Sequence, residues 1–151
     1  MTSPNTAFTS GQILTAAQMN NLPRGVMAFV NRTTSVSALT TTTADITGMS
    51  VTFTAESTRL YKFTWSLRGT KATAAGYTDI NLTDSSNVVK ASITQYSVTG
   101  NFWNCSGAVT LTGLTGSVTY KLRGAAENNT SQPDAQAAAP ITLIVEDVGP
   151  A

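Results

Sequence analysis

The sequence predicts an all-β fold, an antiparallel β-sandwich of the jelly-roll type, preceded by an N-terminal arm with one short helix. Short apolar stretches with a period of two recur along the chain and are separated by Gly, Asn, Asp and Ser residues. Threonine, which favours strands over helix interiors, occurs 27 times in 151 residues. We therefore divide the chain into an anchoring arm, residues 1–24, and a single sandwich domain, residues 25–151.

The arm contains the one convincing helix signal of the sequence. Thr15 and Gln18 have the spacing of a capping box, in which each side chain bonds the backbone N–H of the other residue. Leu14 and Met19 have the spacing of a hydrophobic staple, and the proline that follows Leu22 ends the helix. A helix of two turns is not stable alone in water, so it must dock on its own domain or on another subunit.

We favour the second alternative, in which the arm anchors the protein in a larger assembly. The first alternative, a cap on its own domain, stays open because many chain termini behave in that way. The anchor residues predicted from this segment are Phe8, Leu14, Thr15, Gln18, Met19 and Leu22.

The first strands of the sandwich follow the arm. Residues 26–30 are continuously apolar, which is typical of a strand that is buried on both faces or lies at a subunit contact. The Thr- and Ser-rich residues 31–43 predict a short edge strand and a loop. Residues 49–54 alternate between apolar and polar side chains and therefore predict a half-buried strand.

The strongest strand signal covers residues 60–68, and we predict this strand at the centre of the core. Its apolar side chains occupy alternate positions and so share one face. Burying four of them stabilises the fold by about 6–12 kcal/mol before the entropy of folding is subtracted. These four residues are Tyr61, Phe63, Trp65 and Leu67.

Three more strands are predicted after a flexible loop at residues 69–76. Residues 77–83 and 88–94 form a hairpin around a turn of Asp, Ser and Asn residues. Residues 102–112 form the next strand, in which Gly107 marks a possible bulge.

Adjacent aromatic residues in that last strand predict a contact outside the domain core. Phe102 and Trp103 point to opposite faces, so one of them must leave the core, and a subunit interface is the natural place for it. A sugar-binding role of exposed aromatics is the alternative, although core burial is favoured for most of them. The candidate residues of an oligomer interface are Val26, Phe29, Phe102, Trp103 and Ile144.

The C-terminal third of the chain has a strand, a long loop and a final strand. Residues 117–123 alternate as a strand, whereas residues 124–140 have no period and predict an exposed loop at the distal end. That loop is either a solvated connector, which is favoured, or a place of host contact. Residues 141–148 are apolar on both faces and predict a central or interfacial strand. A contact in the loop would depend on Asn128, Asn129, Gln132 and Asp134.

Composition argues against several classes of function. Charged residues make up 11% of the chain, against about 25% in typical soluble domains, and the formal net charge is +1. Such a charge gives no field that attracts nucleic acid or an anionic membrane, so neither is an expected partner. The first residues lack the features of a signal peptide, so we expect synthesis in a cytoplasm without export. Cys105 is alone and is expected to be a buried strand residue.

The sequence shows no recognisable catalytic or metal-binding constellation. It has no histidine, no phosphate-binding glycine loop, no nucleophile elbow and no cysteine cluster. A glycosidase needs two carboxylates that converge on one cleft, and the candidates here are Asp79 paired with Glu146 or with Asp147. Glu146 and Asp147 point to opposite faces of a strand, which argues against a paired acid and base. We therefore predict no enzyme, no cofactor and no metal site.

Motifs at the two ends of the chain carry a resemblance to a known group of proteins. The opening pattern is Phe8-x-x-Gly11-x-x-Leu14-Thr15-Ala16-Ala17-x-x-Asn20, followed by Leu22-Pro23-x-Gly25-Val26, and the closing strand ends in Leu143-Ile144-Val145-Glu146-Asp147-Val148-Gly149-Pro150. Both resemble the ends of small virion proteins of tailed bacteriophages, which include minor tail, head-fibre and capsid-decoration proteins.

The resemblance implies a structural virion protein that is assembled in the host cytoplasm. It implies a homotrimer that attaches through its arm as a capsid decoration, cement or head-fibre protein, with the major capsid protein as its expected partner. A tail-fibre or minor tail protein that binds a host surface receptor or glycan is the alternative, because the motifs do not distinguish head from tail. The resemblance carries no catalytic residue to this chain.

Overall fold

The computed structural model describes residues 11, 13, 15–71, 74–127 and 131–151. This part of the chain contains one short helix and nine β-strands, and all strand pairs are antiparallel. The elements are α1 (Ala16–Asn20), β1 (Gly25–Arg32), β2 (Ala44–Ala55), β3 (Arg59–Lys71), β4 (Gly76–Asp84), β5 (Val89–Ser97), β6 (Phe102–Leu111), β7 (Gly116–Ala126), β8 (Ser131–Pro133) and β9 (Ile141–Pro150).

The strands form two sheets that pack face to face. The first sheet has the order β1-β9-β3-β6, and the short β8 pairs with β3 beyond the residues that pair with β9. The second sheet has the order β2-β7-β4-β5. Apart from β8, this is the strand order of a jelly roll, in which two Greek keys share two sheets. The predicted fold class, an all-β antiparallel sandwich, is therefore confirmed.

Antiparallel pairing places the connections of the sandwich at two opposite ends. The arm end contains α1, the start of β1, the end of β9 and the turns β2–β3, β4–β5 and β6–β7. The far end contains residues 33–43, 98–101, 127 and 131–140.

β3 lies at the centre of the core, as the sequence predicts. Its four alternate apolar side chains are at most 2% exposed. Phe53 of the facing sheet packs on Tyr61 with 5.0 Å between ring centroids, and Tyr120 packs on Phe63 with 4.5 Å. Tilted aromatic pairs at such distances contribute about 0.5–1.5 kcal/mol each beyond the burial of their area.

The predicted loop at residues 69–76 is largely wrong. β3 continues to Lys71 and β4 begins at Gly76, while residues 72 and 73 lie outside the described residues. Gly69 lies within the strand, and the indole of Trp103 crosses over its backbone. A Cβ at this position would lie 2.3 Å from an indole carbon, so only glycine fits.

The bulge predicted at Gly107 is also wrong. Gly107 pairs with Trp65 in an unbroken register between β3 and β6. A Cβ there would lie 2.3 Å from a ring carbon of Trp65 and 2.4 Å from the Cδ1 atom of Ile93. The glycine therefore serves close packing of the core rather than an irregular backbone.

The long loop predicted at residues 124–140 is partly ordered into strands. β7 continues to Ala126, and β8 pairs with β3. Ser131 and Ala135 are buried, which corrects the expectation of a segment without core residues. The edge strand expected within residues 31–43 is reduced to a single bridge between Leu39 and Ser131. These two segments thus pack on each other and close the far end.

Candidate attachment and assembly surfaces

The helix of the arm forms as its cap predicts. The Oγ1 atom of Thr15 accepts a hydrogen bond from the backbone N–H of Gln18 at 3.2 Å, and the Oε1 atom of Gln18 accepts one from the N–H of Thr15 at 2.9 Å. These reciprocal bonds satisfy donors that a helix start leaves without intrahelical partners. The predicted capping box is therefore confirmed.

Apolar side chains of the arm remain outside its own domain. Met19 is 59% exposed and Leu22 is 37% exposed. Two other predicted anchor residues, Phe8 and Leu14, lie outside the described residues, and with Leu14 the predicted staple also lies outside them. The described part of the arm therefore leaves Met19 mostly exposed and Leu22 partly exposed.

Arg59 connects the arm to the sandwich. Its guanidinium is 3% exposed and makes two hydrogen bonds to the carboxylate of Asp147, at 2.8 and 2.6 Å. The same guanidinium donates to the carbonyl oxygens of Asn20 and Leu22, the latter at 2.7 Å. Asp147 also accepts from the backbone N–H of Gly149 at 2.9 Å. We call this group the Arg59 tether, because it fixes the end of α1 through its backbone alone.

Sequence reasoning missed the Arg59 tether. The sequence suggests Asp147 only as half of a catalytic pair, and it suggests no role for Arg59. The signal that could have found them is the adjacent acidic pair Glu146 and Asp147 in a closing strand that is otherwise mostly apolar. One of two adjacent strand side chains faces the core, and a buried carboxylate requires a cationic partner. The identity of that partner depends on the register between β3 and β9, which the sequence does not specify.

A second ion pair links the arm to the β2–β3 turn. The guanidinium of Arg24 makes two hydrogen bonds to the carboxylate of Glu56, one of them at 3.2 Å. These bonds raise the pKa of Arg24 and lower the pKa of Glu56. Both groups are exposed to solvent, which screens their attraction, so this pair orients the chain more than it stabilises it.

The outer face of the first sheet carries apolar residues at its β1 edge. Phe29 is 67% exposed and Val26 is 57% exposed. In the register, Phe29 lies beside Ile144 and Ile144 lies beside Thr64, so these residues form one row across the sheet. We call Val26, Phe29 and Ile144 the β1 face. Residues 26–30 are therefore not buried on both faces within one chain.

Phe102 and Trp103 point to opposite faces of β6, as adjacent residues of a strand do. Trp103 is 2% exposed and belongs to the core, so it is not available to an oligomer interface and its prediction as an interface residue is wrong. Phe102 is 62% exposed, and the guanidinium of Arg68 lies 5.2 Å from the centre of its ring. A cation at this distance is attracted by the face of the ring and holds it in place.

The predicted contact residues of the far end make bonds within the fold. The Asp134 carboxylate accepts from the hydroxyl of Ser35 at 2.9 Å and from Arg68 at 2.7 Å, and these two donors lower its pKa. The side-chain amide of Gln132 donates to the carbonyl oxygen of Val36 at 3.3 Å. Both residues therefore join segments of the far end, while Asn128 and Asn129 lie outside the described residues.

Aromatic and apolar residues are exposed elsewhere at the far end. Tyr77 and Tyr96 are each about half exposed and pack edge to face, with 5.2 Å between their ring centroids. Val98 follows in the next connection and is 47% exposed. The sequence did not single out these three residues, because alternate positions of a hairpin do not reveal which face meets solvent.

The carboxylates considered for catalysis do not converge. Asp79 lies on the outer face of the second sheet, where its carboxylate accepts a hydrogen bond from Thr94. Asp147 belongs to the other sheet near the arm end, where it is bound to Arg59. Within the described ranges, no three His, Cys, Asp or Glu residues approach closely enough to hold a metal ion, and no helix is long and apolar enough to span a membrane.

Comparison with known proteins supports the fold class and does not assign the chain to a family. No family model matches the chain, and no curated protein matches its sequence. The crystal structure of murine APRIL is similar with a TM-score of 0.52 and 8% identity, over 83% of this chain and 100% of that one. This likeness supports the jelly-roll sandwich alone.

Two more distant structures carry no argument about this chain. The globular domain of zebrafish complement 1qA has a TM-score of 0.46 and 14% identity, over 82% of this chain and 95% of that one. The enzymatically active domain of tailspike protein 4 from bacteriophage CBA120 has a TM-score of 0.30 and 13% identity, over 85% of this chain and 20% of that one.

Proposed function

We propose that this chain is a structural virion protein of a tailed bacteriophage, a capsid decoration, cement or head-fibre protein attached through its N-terminal arm. Its partners are other phage structural proteins, above all the major capsid protein, and its place is the virion assembled in the host cytoplasm. The observation that carries the proposal is the geometry of the arm. The Arg59 tether holds α1 at one end of the sandwich, while Met19 and Leu22 remain exposed.

This geometry fits an attachment device because different groups of the arm hold it on its own domain and contact a neighbouring subunit. Backbone carbonyls hold α1 on its own domain, so the apolar side chains stay free for a neighbouring subunit. Burying a side chain of this size against a partner contributes about 1.5–3 kcal/mol. The resemblance of both chain ends to phage virion proteins indicates that the neighbour is a phage structural protein.

Self-association through the β1 face is the second part of the proposal. An exposed phenylalanine beside an exposed valine on a sheet edge is typical of a protein interface. Phe29, Val26 and Ile144 would then be covered by a second copy of the chain, and the homotrimer follows from the resemblance of the chain ends. We also propose that the protein is not an enzyme and needs no cofactor, nucleic acid or membrane.

Particle binding by point variants tests the attachment. Deletion of residues 1–22 removes the two carbonyl acceptors of Arg59 as well as the apolar side chains, so it cannot separate attachment from folding. We therefore use Met19→Ser combined with Leu22→Ser, which keeps both carbonyls. The double variant should stay folded and fail to bind particles that lack the native copy.

A matched control and a copy count complete the experiment. Val98→Ser removes an exposed apolar side chain of the far end and should leave binding unchanged. If the arm double variant binds as the natural chain does, the arm is not the anchor. Counting copies per virion distinguishes the locations, since hundreds indicate the capsid and a handful indicate the tail.

A second candidate function is a tail-fibre or minor tail protein that recognises a host surface receptor or glycan. The observation that favours it is the exposure of Tyr77, Tyr96 and Phe102 at the end opposite the arm. Aromatic side chains supply large contact areas in recognition surfaces. Tyr96→Ser with Phe102→Ser should then abolish adsorption to the host while particle binding persists; unchanged adsorption contradicts this candidate.

A further inference from the structure

A cleft of about 400 Å³ opens at the arm end between the β4–β5 hairpin and the β6–β7 turn. Ligand-binding pockets have volumes of about 300–1,000 Å³, so this cleft is large enough for a small molecule. Asp84 and Lys90 form one side of it, Leu114 and Val118 contribute apolar surface, and Tyr120 lies on its floor. None of the residues of the Arg59 tether lines it.

The hydroxyl group of Tyr120 is the distinctive feature of the cleft. The residue is 3% exposed, and its ring packs on Phe63. Among the residues that the structure describes, none makes a hydrogen bond to this hydroxyl, and its oxygen is not enclosed by protein atoms but reaches the surface of the cleft. Burial raises the pKa of Tyr120, whereas the charge of Lys90 lowers it and the charge of Asp84 raises it. The phenol is therefore available to a ligand.

The charges of the cleft cancel. The Lys90 ammonium lies 3.0 Å from the Asp84 carboxylate. The Oδ1 atom of Asp84 already accepts from the backbone N–H groups of Ser86 and Val88, both at 2.9 Å. An ammonium has three donors, so Lys90 keeps donors for a ligand, whereas the acceptors of Asp84 are largely used. An anionic ligand would meet repulsion from Asp84, and an apolar ligand would leave these donors unpaired.

We propose that this cleft binds a neutral saccharide. Sugar oxygens can accept from Lys90 and Tyr120, and sugar C–H groups can pack on Leu114 and Val118. Serine and threonine hydroxyls both donate and accept, which suits the alternating demands of sugar hydroxyls. The hydroxyl residues of the walls are Ser85, Ser86, Thr115, Ser117 and Thr119. This site is independent of the proposed virion role, because no residue of the arm or of the β1 face takes part.

NMR titration of the purified full chain tests the site. Glucose, galactose and N-acetylglucosamine are each titrated into the millimolar range, and backbone amide shifts are followed. We expect saturable shifts confined to residues 84–90 and 113–120 with at least one sugar. Tyr120→Phe should weaken that binding about 3- to 10-fold, the loss of one hydrogen bond. It should not lower the urea midpoint, since the hydroxyl has no partner among the described residues.

A matched control and defined outcomes make the test decisive. Tyr96→Phe removes the same oxygen at the far end and should leave the affinity unchanged. No saturable shift with any of the three sugars would overturn the proposal, and so would equal affinity of Tyr120→Phe and the natural chain. Glycerol that produces the same shifts at the same concentrations would also overturn it, because such contact is not saccharide recognition. Particle binding is not measured here, so failure leaves the attachment proposal untouched.

Discussion

Replacing Arg59 by leucine should destabilise the protein and release α1 at the same time. The substitution leaves the Asp147 carboxylate, which is fully buried, with the N–H of Gly149 as its remaining donor in the described part of the chain. Removing one partner of a buried ion pair costs about 3–5 kcal/mol. For a domain of this size each kcal/mol shifts Tm by about 2–4 °C, so we expect a decrease of about 6–20 °C.

The double variant Arg59→Leu with Asp147→Leu distinguishes the effect of an unpaired buried carboxylate from the effect of losing the hydrogen bonds to α1. Replacing both members of a buried pair by apolar residues is often neutral, so most of the lost stability should return. The carbonyls of Asn20 and Leu22 would still lack their donor, so α1 should remain released. Urea unfolding measures the stability, and trypsin cleavage after the exposed Arg24 measures the release of the arm.

Two results would refute this reasoning. If Arg59→Leu unfolds at the urea midpoint of the natural chain, the buried ion pair does not stabilise the fold. If the double variant is no more stable than the single variant, the loss comes from packing rather than from an unpaired carboxylate. Arg24→Leu is the matched control, since it removes an exposed arginine that also approaches Asp147, and it should change the midpoint little.

Three further predictions follow from the core, the far end and the β1 face. Gly107→Ala should destabilise by about 1–3 kcal/mol in urea unfolding, because the added methyl would lie 2.3 Å from an indole carbon. Ser35 and Arg68 lower the pKa of Asp134. The stability that this carboxylate contributes is therefore present above its unfolded pKa and is lost as the pH falls below about 4. Asp134→Asn should make the free energy of unfolding, measured in urea, less dependent on pH in that acid range. Phe29→Ser should convert the assembly into a 15.8 kDa monomer in sedimentation without loss of folding, and a natural chain that is already monomeric contradicts the interface.

The sequence by itself determined the local structure. The alternation of residues 60–68 predicted a buried strand, because strand geometry sends alternate side chains to one face whatever the partner. The capping box of Thr15 and Gln18 predicted α1 because its bonds join residues three apart. The hairpin around residues 84–87 was predicted for the same reason, since Asp84 bonds backbone groups two and four residues further on.

The tertiary structure alone decided the contacts between distant residues. Gly69 and Gly107 were predicted as a loop and a bulge, yet they are strand residues that make room for the indoles of Trp103 and Trp65. Arg59 found its partner 88 positions away in the chain.

These misses share a physical cause. The register between strands is set by side-chain packing across the sheets, and a shift of one residue would change every such contact. The same packing buried Trp103 and left Phe102 exposed. The sequence does not specify which of two adjacent aromatic residues in a strand faces the core.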